Sequence, residues 1–132
     1  VTFYKQLTRD QLARFFRLHH AAVFPSIHPE AFGIVAVEAM ASGLALLSSG
    51  VGGAKEVFEN NKSGLRFDPG NAHSLAEQIK RLFNEEGLLE TLQKNGLKRS
   101  KAQFDVKQSS LQLETLLSDL KNEDYGLCIQ KF

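Results

Sequence analysis

Short apolar runs alternate with stretches of helical period up to about residue 70, and from Asn71 onward the period is helical throughout. Residues 1–4, Val-Thr-Phe-Tyr, read as a strand. Thr8 is placed to cap a helix running to about Leu18, in which Leu12, Phe15 and Phe16 are spaced for one buried face. Residues 21–24 form an apolar run that Pro25 stops, the signature of a buried strand. A helix is expected from Gly33 to Ser42, closed by Gly43. A second buried strand is expected over residues 44–47, running into Ser48, Ser49 and Gly50. A short helix over 54–59, turn signals over 60–63, a strand near 64–67 and a turn at Asp68-Pro69-Gly70 complete this half.

Beyond Asn71, Leu75, Ile79, Leu82 and Phe83 make one apolar stripe, and Leu88, Leu89 and Leu92 another. Gly87 and Gly96 read as breaks. A last helix is expected over 106–121, with Leu113, Leu116, Leu117 and Leu120 on one face, followed by a patternless tail over 122–132. Strand–helix alternation with short connections predicts an α/β fold: a small Rossmann-like parallel sheet of four strands with flanking helices. Such sheets take ligands beyond the carboxyl ends of their strands, which points to residues 25–33 and 48–53.

Composition narrows the function without naming it. A chain of 132 residues predicts one domain, residues 1–121, with the tail outside it. Sixteen Lys and Arg against fifteen Asp and Glu leave a net charge of +1, which gives no electrostatic case for nucleic acid. No apolar stretch reaches the roughly 20 residues of a membrane span. The single cysteine, Cys128, excludes an internal disulfide and cannot alone build a zinc site, so a cytoplasmic location is expected and no metal or cofactor. Val1 in place of an initiator Met reads as an internal start, and the chain as a fragment.

The candidate chemistry is concentrated. Between Leu18 and Ala54 the only charged residues are Glu30 and Glu38. Glu30 precedes the 33–42 helix and is either a dipole-favoured cap or a ligand carboxylate. Glu38 lies inside an apolar helix expected to be largely buried, where it needs either a Lys or Arg partner or a ligand. The amides near Phe32 and Gly33 would be unpaired at the helix start, a setting suited to phosphate. Gly50, Gly52 and Gly53 either open the second loop to a ligand or simply turn the chain.

The ordered string Pro25-Ser26, Glu30-Ala31-Phe32-Gly33, Glu38 to Gly43, Gly52-Gly53, Glu56 and Gly64 resembles the retaining glycosyltransferases of the GT-B architecture, in which two Rossmann-like domains face each other. The resemblance runs from about Leu7 to Phe104 and includes that family's two glutamates separated by seven residues, here Glu30 and Glu38. It implies part of the C-terminal, donor-binding domain of such an enzyme. By position, Glu30 would face the transferred sugar as the catalytic carboxylate. Phe32, Gly33 and Ile34 would hold the donor diphosphate, Glu38 the ribose hydroxyls, and Gly52 and Gly53 would complete the donor site. The substrate implied is a nucleoside diphosphate sugar, with the acceptor on a separate N-terminal domain. Two positions depart from the family: Ala31 stands where Gly is frequent and Ala45 where Pro is frequent.

The remaining polar residues carry weaker signals. Adjacent His19 and His20 diverge at a helix end and read as a surface or capping pair. His28 reads as a solvated loop residue or a substrate contact. Lys94, Lys98, Arg99 and Lys101 form a basic run that is either a solvated face or a peripheral contact with anionic lipid at the inner face of a membrane. Arg9, Arg14, Arg17 and Lys55 are candidates to grip the diphosphate. The competing function is a non-catalytic nucleotide-sugar-binding or interaction module with the same fold.

Overall fold

The computed structural model describes residues 1–122, with side chains to Asp119. Cys128 and residues 123–132 of the expected tail lie outside the described residues.

The first helix, α1 (Arg9–Phe16), begins where Thr8 and Gln11 exchange hydrogen bonds. The Thr8 hydroxyl accepts from the Gln11 amide at 3.3 Å, and Gln11 Oε1 accepts from the Thr8 amide at 2.9 Å. The helix stops short of Leu18, which is exposed, and His19 Nδ1 bonds the Phe15 carbonyl at 2.8 Å as a capping residue. Three parallel strands follow: β1 (Ala21–Phe24), β2 (Ala45–Ser48) and β3 (Leu65–Arg66), in the order β1-β2-β3. The helix α2 (Ile34–Ala41) connects the first pair, and a single 3₁₀ turn, Gly53–Glu56, lies between β2 and β3.

The central strand, β2, is buried along its whole length, which is why it reads as a continuous apolar run. Ala45 and Leu47 face a core with Leu65, Phe67, Leu82 and Leu92. Leu46 faces the other, with Ala36 and Met40 of α2 and with Val57 and Phe58. Ala45 also donates its amide to the His20 carbonyl at 3.0 Å, a rung that proline could not supply. The helices α3 (Ala72–Asn84), α4 (Leu88–Gln103) and α5 (Val106–Asn122) complete the chain.

Several expectations need correction. Residues 21–24 form a strand but not a buried one: none is fully buried and Val23 is half-exposed, because among the described residues no strand covers the outer side of β1. Residues 1–4 form no strand: Phe3 is exposed and Tyr4 packs edge-on against Phe15, because β propensity without a neighbouring strand to bond specifies nothing. The sheet therefore has three strands, not four. Phe83 points to solvent at 82% exposure, since only Leu75, Ile79 and Leu82 keep the inward period of α3. Gly96 does not break a helix but sits inside α4, where a Cβ would lie 3.3 Å from Met40 Cγ. A small residue there lets α4 approach α2. The leucine face of α5 is uncovered at Leu113, Leu116 and Leu117, and the Leu120 side chain lies outside the described residues.

Candidate functional site

The carboxyl ends of β1 and β2 are joined twice. The Ser49 amide bonds the Phe24 carbonyl at 3.2 Å as the strands end. The chain then leaves β1 through Pro25 and returns at Glu30, which forms an isolated parallel bridge with Gly52. The Glu30 amide donates to the Val51 carbonyl at 3.3 Å, and the Gly53 amide donates to the Glu30 carbonyl at 2.8 Å. Residues 25–29 are thus an excursion between two rungs of one ladder, and Glu30 is held at both its amide and its carbonyl.

Its side chain is held as well. Ser26 Oγ donates to Glu30 Oε1 at 2.6 Å, and Ser49 Oγ donates to the Ser26 carbonyl at 2.6 Å. Neither bond involves the start of α2, so Glu30 is not a helix cap. The cap position belongs to Gly33, at φ +85°, and no side chain bonds the helix start. Among the described residues the amides of Phe32, Gly33, Ile34 and Val35 donate no hydrogen bond. They border a hollow of about 460 Å³ together with Glu30, Ala31 and Phe24. A carboxylate and the positive end of a helix therefore open onto one space.

Glu38 is half-buried rather than deeply buried, because the outer face of α2 is open: Ile34 and Val35 are 59% and 47% exposed. Among the described residues it forms no ion pair, so of the two alternatives, a Lys or Arg partner or a ligand, the first is not seen. Glu38 lies one turn beyond Ile34 on the same helix face and lines a second hollow of about 300 Å³, against Arg9, Ala13 and Phe16 of α1 and Ser42. The structure thus brings Glu30, Phe32, Gly33 and Ile34 together and sets Glu38 next to them along α2.

Gly52 and Gly53 line neither hollow. They pack behind Glu30: a Cβ on Gly52 would lie 2.5 Å from the Glu30 carbonyl oxygen, and one on Gly53 would overlap the Ala31 carbonyl. Of the four candidate cations, Arg9 lies beside Glu38, Arg14 and Arg17 line a hollow on α1 with Asp10, and Lys55 is exposed. None of them borders the Glu30 hollow. His28 is exposed. Arg99, counted in the basic run, is drawn inward to the Glu56 and Val57 carbonyls and to Glu59. The Glu59 carboxyl is held below the usual glutamate range, first by its hydrogen bond from Lys62 and then by the Lys62 and Arg99 charges. Ser49 and Arg99 have no signal in the sequence beyond a serine after an apolar run and a basic residue among others.

Sheet, crossover helix and strand-end crevice define a Rossmann-like α/β domain, a class of fold whose ligands bind beyond the carboxyl ends of the strands. Residues 1–99 match the family described as Glycosyl transferases group 1, and the chain belongs to that family. It is 32% identical over 112 residues to the capsular polysaccharide biosynthesis glycosyltransferase CapM of Staphylococcus aureus, covering 85% of this chain and 29% of that protein. Sucrose-phosphate synthase from Thermosynechococcus elongatus superposes with a TM-score of 0.81 at 35% identity, over 92% of this chain and 30% of that one. Anabaena HepE in complex with UDP does so at 0.78 and 28% identity, over 84% and 30%. The chain therefore spans less than a third of the length of these relatives. Its fold is that of the C-terminal domain of GT-B glycosyltransferases. Among the described residues no helix is long and apolar enough to cross a membrane.

Proposed function

We propose that the chain is the donor-binding part of a glycosyltransferase that moves a sugar from a nucleoside diphosphate sugar to an acceptor with retention of configuration. The observation that carries the reading is the shared hollow of Glu30 and the unpaired amides of Phe32 to Val35. The amides of Phe32, Gly33 and Ile34 receive the diphosphate, whose charge the helix end favours. Glu30, with Oε1 held by Ser26, offers Oε2 to the sugar hydroxyls. Glu38 accepts from the ribose hydroxyls, which satisfy a carboxylate without a counter-charge. The UDP bound by the Anabaena relative supports a nucleotide ligand of this class. Among the described residues no side chain in the hollow is a second carboxylate placed for covalent attack, which suits a front-face transfer in which the leaving diphosphate assists the incoming hydroxyl.

The diphosphate's full charge calls for cations, and among the described residues no Lys or Arg borders the Glu30 hollow. The acceptor and those cations are assigned to the rest of a longer protein. The isolated chain is accordingly expected to show no turnover in a transfer assay with a panel of nucleotide sugars, and turnover by it alone would overturn that assignment. In the full-length protein, Glu38→Ala is expected to weaken UDP binding about tenfold by calorimetry, the loss of one charge-assisted contact. An unchanged affinity would remove Glu38 from the ribose site.

A further inference from the structure

We infer that Arg99 is a positioning residue for Glu30, acting across the 3₁₀ turn Gly53–Glu56; the inference rests on the role proposed above for Glu30. Arg99 projects from α4, and its side chain is only 17% exposed. Its guanidinium donates from Nη2 to the Glu56 carbonyl at 2.8 Å and from Nε to the Val57 carbonyl at 2.9 Å. The remaining nitrogen, Nη1, reaches Glu59 Oε1 at 2.7 Å. The two carbonyls are at the end of the turn, where a cation is favoured and a planar fork can take both at once.

The other end of the same turn holds the site. Gly53 donates its amide to the Glu30 carbonyl, and its α-carbon lies so close to Ala31 that no side chain fits between. Ala54 and Val57 are buried, so the turn is pinned from within as well as at its ends. Arg99 itself is fixed independently, because Leu92, Gly96 and Ser100 bury the adjoining face of α4. A guanidinium anchored in one layer thus sets one end of a short strap whose other end sets Glu30. The start of α2 touches the turn only through apolar packing, Gly33 beside Ala54 and Ala36 and Met40 in one core with Val57, and no hydrogen bond links its amides to the strap. Loss of Arg99 should therefore displace the carboxylate, which is hydrogen-bonded to the strap through its own backbone, more than the phosphate-facing amides, which are not.

The test uses the full-length protein with Arg99→Met and Arg99→Lys, and Arg81→Met as the comparison. Arg81 on α3 makes an equally short ion pair, to Glu85 at 2.6 Å, with no contact to the strap. Arg99→Met is expected to lower kcat about tenfold with donor KM changed less than about twofold. Arg99→Lys, which keeps the charge but not the fork, should recover only part of the loss. Hydrogen exchange followed by mass spectrometry should quicken over residues 50–58 and also at the Glu30 amide within 28–31 in Arg99→Met, and in neither segment in Arg81→Met. A rise confined to residues 54–60, or a kcat loss that Arg81→Met reproduces, would overturn the inference. If the wild-type protein transfers no sugar, the role given to Glu30 fails, while the exchange pattern still decides whether Arg99 governs its position.

Discussion

Glu30→Gln is expected to lower kcat by about a hundredfold or more in the full-length protein while UDP affinity stays within about threefold. The substitution keeps the shape and an oxygen able to accept from Ser26 Oγ, so the loop that bridges to Gly52 has no reason to move. What it removes is the negative charge. Transfer through an oxocarbenium-like state develops positive charge at the anomeric carbon, and a carboxylate fixed beside it is favoured in that state over the ground state. The amides of Phe32 to Val35 lie at the start of α2, away from the substituted atom, and their proposed hold on the diphosphate is expected to persist. Steady-state kinetics beside calorimetry separates the two effects. A kcat within about twofold of wild type would strip Glu30 of its role. A wild-type protein that binds UDP but transfers nothing would favour the non-catalytic module.

Gly53→Ala is expected to abolish transfer and to destabilise the fold by about 2 kcal/mol in a urea titration. Its φ is not in the left-handed region, so the effect is purely steric: the new methyl overlaps the Ala31 carbonyl. Relief requires parting the two loops, which breaks the Gly53–Glu30 hydrogen bond and releases the carboxylate. The comparison is Gly43→Ala. There φ is +87° and a Cβ meets nothing within 4 Å, so only backbone strain of about 1 kcal/mol is added and kcat should not change. Equal kinetic effects of the two variants would show that Gly53 matters only through global stability.

The positions of the first two strands were legible from their apolar runs, but burial was legible only for β2; β1, expected to be buried, is an edge strand with no fully buried residue. Residues 21–24 and 44–47 are apolar without alternation and end at Pro25 and at Ser48-Ser49-Gly50, and both lie where expected within a residue. Residues 1–4 have similar chemistry and form nothing, since a strand exists only where another strand accepts its amides. The unpaired start of α2 was legible too, from Gly33 and the apolar helix behind it. Contacts across the chain were not. The glycine pair 52–53 suggests openness, whereas the structure uses it to press two backbones together. Arg99 stands among Lys94, Lys98 and Lys101, and nothing local shows that it alone turns inward to carbonyls 42 and 43 residues away. Gly96 has the same origin: its neighbour Met40 lies on another helix.

The edge of the sheet has a consequence for handling the chain in solution. Among the described residues β1 has no strand on its outer side, and Val23 there is 44% exposed. Ala21 to Phe24 carry no lysine, proline or inward charge, the features by which natural edges discourage further pairing. Among the described residues the outward-pointing half of the amide and carbonyl groups of β1 is free, the other half being bonded to β2, and that outward half can template a strand from another chain. With a net charge of only +1, long-range repulsion offers little opposition. That short stretch of edge backbone, together with the uncovered leucine face of α5, gives the isolated chain two places to self-associate, and association should grow with concentration.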